Sequence, residues 1–243
     1  MKKPRQEPSI DRIHGYRAGL AVLAKRPDDV IRVACTREIV EEVEELLGKR
    51  DVHVGVLDEG QIEKLARTNQ HEGLVLEAAP RRWVGQNDLA GHRTIIALDR
   101  VRNSYNIGAI LRSAAFFGVE AALLGAPAPH PGLDPNAIRV AEGGVEEMVL
   151  SRTTDLADTL ARLRARGMKV YGADGEGSSE ALGFAFVQPA ILVMGNEREG
   201  MSPRVRAQCD AIVAIRGTGR VESLNVAIAA SILVAELTRK PAR

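Results

Sequence analysis

The 243-residue chain is predicted to fold as an α/β protein, with a mostly parallel, helix-covered sheet preceded by a smaller α/β unit. Three observations carry this reading. From Thr94 onward, apolar runs of strand length at 94–98, 121–124, 170–173, 190–194 and 211–215 alternate with stretches of helical periodicity. Continuous apolar strands mark a sheet buried on both faces. Ahead of them, residues 14–77 alternate in the same way on a smaller scale, and 78–93 breaks the pattern with Pro80, Gly85 and Gly91 around the only tryptophan, Trp83. The expected division is a domain at 10–78, a linker at 79–93 and a domain at 94–240.

In the first unit, Tyr16, Leu20 and Leu23 fall at near-helical spacing over 14–25, and Pro27 ends the helix. Residues 30–34 alternate in part as a strand does. Residues 38–47 form an amphipathic helix with Glu38, Glu41, Glu42 and Glu45 on one face, closed by Gly48. A strand at 52–56, a helix at 59–67 and a strand at 73–76 complete the unit. Arg12, Arg17, Lys25 and Arg26 make its start basic, a cluster that by itself reads as a solvated face. In the second unit helices are expected at about 106–117, 155–166, 203–209 and 224–239.

Composition narrows the classes. Hydrophobic residues at 45% and charged residues at 27% fit a soluble protein with real cores. A net charge of +1 means that any nucleic-acid surface must be a local patch. Aromatic residues at 3% argue against recognition by many stacked bases. The first residues show no apolar signal segment, and the apolar stretch at 226–235 is too short to span a bilayer. A cytoplasmic protein with no membrane contact is therefore expected. Cys35 and Cys209 lack partner spacing and are expected as reduced thiols. With five histidines they form no zinc-type cluster, so no metal site is expected. Neither G-x-G-x-x-G nor G-x-x-x-x-G-K-[ST] occurs, which disfavours an ordinary dinucleotide-binding or P-loop protein.

Three stretches carry chemistry. Over 103–118, Asn106 is the expected N-cap and Gly118 the stop. Ile107, Ile110, Leu111, Ala114 and Phe117 share the sheet-facing side, while Arg112 and Phe116 point the other way beside Gly108 and Ala115, toward a partner subunit or a substrate. In the second stretch, strand 190–194 enters Gly195-Asn196-Glu197-Arg198-Glu199-Gly200, where two glycines permit a tight turn or a close ligand approach, and Ser202-Pro203 starts a helix. The third, 215–225, is a glycine-rich loop ending at Ser223 and Asn225, either of which caps the last helix. Strand, glycine loop and helix, twice over, make the usual ligand-binding edge of an open α/β sheet.

Together these stretches resemble the SpoU (TrmH) family of RNA 2′-O-methyltransferases, within the SPOUT superfamily, over about residues 94–240. Asn106-x-Gly108-Ala109-x-x-Arg112 looks like the first family motif, Leu192-Val193-Met194-Gly195-Asn196-Glu197-x-x-Gly200 like the second and Ser223-Leu224-Asn225-Val226-Ala227 like the third, in family order. Residues 138–144 are also similar. Residues 14–77, with His14-Gly15 and His71-Glu72-Gly73, look like the ribosomal-protein-type RNA-binding domain often placed ahead of this catalytic domain. Where many members have Asp-Pro before the motif asparagine, this chain has Asn103-Ser104-Tyr105.

The resemblance implies an α/β trefoil-knot (SPOUT) domain that works as a homodimer with its sites at the interface. It implies S-adenosylmethionine held by backbone groups at Gly195, Ile215 and Leu224, with Met194 beside them. The reaction implied is methyl transfer to a ribose 2′-hydroxyl of structured RNA, 23S ribosomal RNA ahead of transfer RNA, with no metal. Arg112, Asn106, Glu197, Ser223 and Asn225 are the implied catalytic set. A guanidinium is not deprotonated in proteins, so Arg112 is expected to clamp the adjacent phosphate or stabilise the ribose oxyanion rather than act as a base. Glu197 is expected to orient Arg112 or accept the proton, with Asn106, Ser223 and Asn225 positioning loop and substrate. The competing readings are an RNA-binding module that keeps the fold without methylating and a purely structural α/β protein.

Overall fold

The computed structural model describes residues 10–125 and 133–239 and contains two sheets. The first is built from β1 (Asp11–His14), α1 (Tyr16–Lys25), β2 (Val30–Cys35), α2 (Val40–Leu47), β3 (His53–Val56), α3 (Glu59–Ala66) and β4 (Leu74–Ala78). Its strand order is β1-β4-β2-β3, with β4 antiparallel to both neighbours and β2 parallel to β3. Alternation along the strands sends Ile13, Val33, Leu74 and Leu76 into a core with Val22 and Leu23 of α1 and Val43 of α2. The opposite side of the sheet carries Arg12, Arg32, Val75 and Glu77, with α3 along its margin. Helix α3 is fixed by a capping box between Asp58 and Gln61. Strand β1 is not expected from the sequence; Asp-Arg-Ile-His offers one apolar residue, and only pairing with β4 makes it a strand.

The second sheet holds β5 (Thr94–Leu98), β6 (Ala121–Gly125), β7 (Val149–Thr153), β8 (Lys169–Ala173), β9 (Ser179–Glu180), β10 (Ala190–Met194) and β11 (Ala211–Ala214). The order is β7-β6-β5-β10-β8-β11-β9 and every pairing is parallel. Both faces are covered. Ile96 and Leu98 of β5 point into one core with α4 (Ser104–Phe116), α5 (Pro135–Val140) and α8 (Val226–Thr238). Ile95 and Ala97 point into the other, with α6 (Leu156–Ala165), α7 (Pro203–Arg206) and Leu89. The α/β class expected from the apolar runs is the observed one. The five expected strands are present; β7 and β9 are not legible in the sequence because their residues are mostly polar and too few. The strand order reverses direction between β5 and β10, so the loops after these two strands diverge and open a crevice at the C-terminal edge.

Helix α4 departs from expectation at two places. Phe117 lies just past its end, is partly exposed, and meets Phe116 edge-on at 5.1 Å instead of packing on the sheet. The small residues on the second face of α4 are covered by this same chain: a Cβ on Gly108 would come within 2.5 Å of the Ala137 carbonyl of α5, and one on Gly144 within 3.2 Å of Ala115. Phe116 itself stays 83% exposed.

The segment expected as a linker is packed. Val84 bridges to Ser151 of β7, its amide donating to the Leu150 carbonyl at 2.9 Å and its carbonyl accepting from Ser151 Oγ at 3.0 Å. Leu89 is fully buried, and the Arg152 guanidinium lies 5.1 Å from the Trp83 ring. Glycine, proline and charge give the stretch its linker composition, but one leucine and one strand-like bridge are enough to anchor it.

The basic start of the chain is a solvated face only in part: Arg12, Arg17 and Lys25 are about half-exposed or more, while the Arg26 side chain is mostly buried. Arg26 and Arg81 converge on Asp11 and on Glu146, which lies just ahead of β7 of the second sheet, at 3.1–3.2 Å. Lys25 pairs with Glu147 and Arg17 with Glu142. The His14-Gly15 and His71-Glu72-Gly73 pairs lie at this same seam. Gly15 has φ +103, and a Cβ there would meet Arg139 of α5 at 2.7 Å, which accounts for the glycine. Burial, helped by Arg139, lowers the pKa of His14. No helix among the described residues is long and apolar enough to cross a membrane.

Candidate active site

Strand β5 ends in two residues that shape the crevice. Asp99 is almost fully buried and its Oδ2 accepts the Ser202 amide at 2.6 Å. Arg100, at φ +59, donates from Nη2 to the Gly200 carbonyl at 3.0 Å and pairs with Glu199, while its own carbonyl accepts Asn196 Nδ2 at 2.9 Å. Asn196 and Gly200 close the loop by exchanging backbone hydrogen bonds, each 3.0 Å. Asn196 Oδ1 accepts the amides of Arg198 and Glu199 at 3.0 and 3.1 Å, so the turn is held from inside and Glu197 is carried at its tip. Ser202 precedes α7 but makes no side-chain cap; its amide, not its hydroxyl, is the anchored group.

Of the two uses expected for Gly195, the tight turn is the one its surroundings show. A Cβ there would lie 2.4 Å from both the Gly200 carbonyl carbon and the Met201 nitrogen, so the loop's own returning strand fills the space. Gly195→Val is therefore expected to open the loop and destabilise the fold as well as remove cofactor binding. Thermal unfolding and calorimetry on the same sample check this; an unchanged melting temperature with lost binding would return Gly195 to pure ligand contact.

Asn103, not Asn106, caps α4, accepting the amides of Tyr105 and Asn106 at 2.9 and 3.3 Å. The Asn106 side chain is thereby released for tertiary contacts. Its Nδ2 donates to Glu197 Oε1 at 2.9 Å and its Oδ1 accepts from Asn225 Nδ2 at 3.1 Å. Asn225 Oδ1 caps α8 through the amides of Ala227 and Ile228 at 2.8 and 3.4 Å. Because that oxygen faces backbone N–H groups, the Asn225 amide nitrogen must face Asn106, and the Asn106 nitrogen must face Glu197. Direction is thus set along the whole relay, which ends on Glu197 as acceptor. Glu197 Oε2 has no protein partner among the described residues.

Arg112 is not part of this relay. It lies six residues beyond Asn106, about 9 Å along the helix axis, and its Nη2 sits 2.8 Å from Glu142 Oε2 with the side chain 55% exposed. Of the two roles expected for Glu197, orienting Arg112 is not the one seen within the chain, where Arg112 pairs with Glu142 instead. Glu142 holds φ +44 just after α5, which aims its carboxylate between Arg112 and Arg17. The family likeness of residues 138–144 gives this glutamate no role in advance. Asp99 and Arg100 also lie outside the expected set, although a carboxylate directly after a buried strand run is a readable signal.

Ser223 and Leu224 are exposed, and Ile215 is half-buried. Met194 is buried in the core, and its carbonyl accepts the Asp99 amide at 2.8 Å. The backbone of 215–224 makes no backbone–backbone hydrogen bond among the described residues. A loop of open N–H and C=O groups beside the Gly195 turn suits a cofactor held through main chain. No cluster of three or more histidine, cysteine, aspartate or glutamate residues is placed to hold a metal among the described residues. An open cleft of about 720 Å³, lined by Arg93, Phe184, Phe186 and Glu236, lies at the opposite, N-terminal end of β5 and β10, away from these groups.

A model of the SpoU rRNA Methylase family matches residues 93–235, from the start of β5 into α8, and so spans the whole relay and Arg112. The chain belongs to this family. Among SpoU relatives, the 23S rRNA (guanosine-2′-O-)-methyltransferase RlmB of Pseudomonas aeruginosa is 31% identical over 95% of this chain and 96% of its own. RlmB of Photobacterium profundum is 30% identical over 96% of this chain and 98% of its own. The structure of an AdoMet-bound rRNA methyltransferase from Sinorhizobium meliloti aligns with a TM-score of 0.79 at 25% identity, covering 94% of this chain and 86% of that one. The similarity to these SpoU proteins takes in both sheets.

Proposed function

We propose that this SpoU chain transfers a methyl group from S-adenosylmethionine to a ribose 2′-hydroxyl of ribosomal RNA, with 23S RNA the first candidate. The observation that carries the reading is the relay Asn225–Asn106–Glu197, in which side chains from three separate segments meet at the C-terminal edge of the parallel sheet. The RlmB names and the AdoMet-bound neighbour support the substrate and the cofactor. When bound, S-adenosylmethionine supplies a methyl group on a positively charged sulfur.

The residues divide the remaining work. Backbone groups of Gly195, Ile215 and Leu224 hold the cofactor beside the relay. Glu197, with one carboxylate oxygen fixed by Asn106 and the other open, accepts the proton of the 2′-hydroxyl. Arg112 clamps the neighbouring phosphate with a bidentate fork. Ser223, exposed at the loop end, meets the RNA. The separation of Arg112 from Glu197 along α4 supports a homodimer in which two chains complete each site. Phe116, Leu224 and Ile228 are exposed on or beside α4 and α8, which pack together through Ser113 and Ser231, and they offer an apolar face for the second copy. The proposal includes the trefoil knot implied by the family resemblance. It is supported by the insertion of β10 between β5 and β8 and by the return of Asn225 to Asn106.

Labelled-methyl transfer into total RNA from cells lacking the protein, followed by mapping of the modified nucleotide, tests the reading. No incorporation, with cofactor binding absent, would favour an RNA-binding module instead. A sharper expectation concerns the relay. Asn225→Ala is expected to cost about 1 kcal/mol as a lost cap and to release Asn106, lowering methyl transfer roughly a hundredfold, the scale for a misplaced reacting group. Asn225→Ser restores the cap alone, so full recovery of rate in that variant would remove the relay from the mechanism.

A further inference from the structure

The side of the first sheet that faces away from α1 and α2 carries a straight row of charge. Arg12 of β1 stands opposite Glu77 of β4, Glu77 opposite Arg32 of β2, and Arg32 opposite His53 of β3. The row crosses all four strands, about 14 Å. Glu77 is buried at the floor and accepts Arg12 Nε at 3.0 Å and Arg32 Nε at 2.8 Å. Each arginine thus uses its inner edge on the carboxylate and keeps its outer Nη edge open, with side chains 53% and 59% exposed. The Arg32 hydrogen bond holds the Glu77 carboxyl below the usual range, so the carboxylate stays ionised and keeps both forks aimed. Lys64 and Arg67 at the end of α3 flank the same cleft, which encloses about 340 Å³, and neither has an acidic partner within ion-pair distance among the described residues.

We infer that this open sheet face is where the N-terminal domain holds the phosphate backbone of the RNA substrate. The inference rests on the reading of the chain as an RNA methyltransferase and names the surface that reading leaves open. Four cations against one carboxylate concentrate positive charge on a chain that is otherwise nearly neutral. Guanidinium forks with exposed outer edges match phosphate oxygens. Of the other basic residues near the N-terminus, Arg26 is mostly buried against Asp11 and Glu146, while the exposed Arg17 and Lys25 face Glu142 and Glu147 outside this cleft. A row spanning four strands has room for more than one phosphate.

The test reverses charge on the flank and leaves the Glu77 row intact. The full chain with Lys64→Glu and Arg67→Glu is compared with wild type and with Lys49→Glu, a surface control outside the cleft, using bulk ribosomal RNA from cells lacking the protein. The double variant is expected to bind RNA at least tenfold more weakly. The slope of log affinity against log salt should become shallower by roughly 1.5 to 2, the change expected when the protein neutralises two phosphates fewer. KM for RNA should rise, with kcat at saturating RNA and S-adenosylmethionine affinity unchanged. Unchanged RNA affinity and slope would overturn the inference, as would an equal loss for Lys49→Glu or a parallel fall in cofactor affinity. RNA bound with this pattern but never methylated would sink the methyltransferase reading and leave the binding face standing.

Discussion

Arg112→Ala is expected to lower methyl transfer by two or more orders of magnitude, roughly the scale for removing one key electrostatic group, while leaving the fold and S-adenosylmethionine affinity nearly unchanged. The separation of the two effects follows from where Arg112 sits. Its protein contact is a half-exposed ion pair with Glu142, and such pairs contribute at most about 1 kcal/mol. The helix is held by residues on its other side, where Ile107, Ile110, Leu111 and Ala114 are buried. Arg112→Lys should recover only part of the rate, because a point charge lacks the two-pronged fork. Glu142→Gln should fall between the two, since it loosens the guanidinium without removing it. Single-turnover transfer of labelled methyl, with cofactor binding by calorimetry, distinguishes these outcomes. Near-normal turnover of Arg112→Ala would make the residue an ordinary surface charge.

Glu146→Ala is expected to destabilise the protein by about 3–5 kcal/mol, the cost of leaving a buried charge without its partner. Glu146 accepts Arg26 Nε at 3.1 Å and lies 3.2 Å from Arg81, and the side chains of all three are between 6% and 13% exposed. Asp29, 3.5 Å from Arg26, and Asp11 compensate the Arg26 side of this cluster, but without Glu146 the buried Arg81 keeps only a shared Asp11. The neighbouring Lys25–Glu147 pair is half-exposed, so Glu147→Ala should change stability by no more than about 1 kcal/mol. Urea unfolding of both variants makes the comparison. Equal, small effects would mean that water reaches the seam and that charge does not lock the two sheets' units together.

Much of the architecture follows from local pattern. Apolar runs at Thr94–Leu98 and Ala190–Met194 had to be buried strands, because only a sheet covered on both faces gives every position of such a run an apolar neighbour. Gly118, at φ +80, had to end α4. Strands β1 and β7 escape a local reading because their residues become strand only by pairing with a neighbour. The same limit applies at the site. Asn106 reads as a cap in sequence, and it is a relay member because Asn103 takes the cap and Glu197 arrives from 91 residues away.

By itself the sequence determined the α/β class, the places where chain turns into helix at the crevice, and the family, whose three motifs stand in order. Tertiary structure decided the partners of the charges. Sequence cannot show that Arg112 pairs with Glu142, that Gly195 makes room for Gly200 and Met201, or that Arg17, Lys25 and Arg26 meet Glu142, Glu147 and Glu146 while Arg12 meets Glu77. The physical reason is range. Propensity and periodicity act over a few residues and set local conformation. Charge pairing and steric fit act over a few ångströms in space, between groups that the fold brings together from as far as 122 residues apart or more along the chain, as Lys25 and Glu147 are.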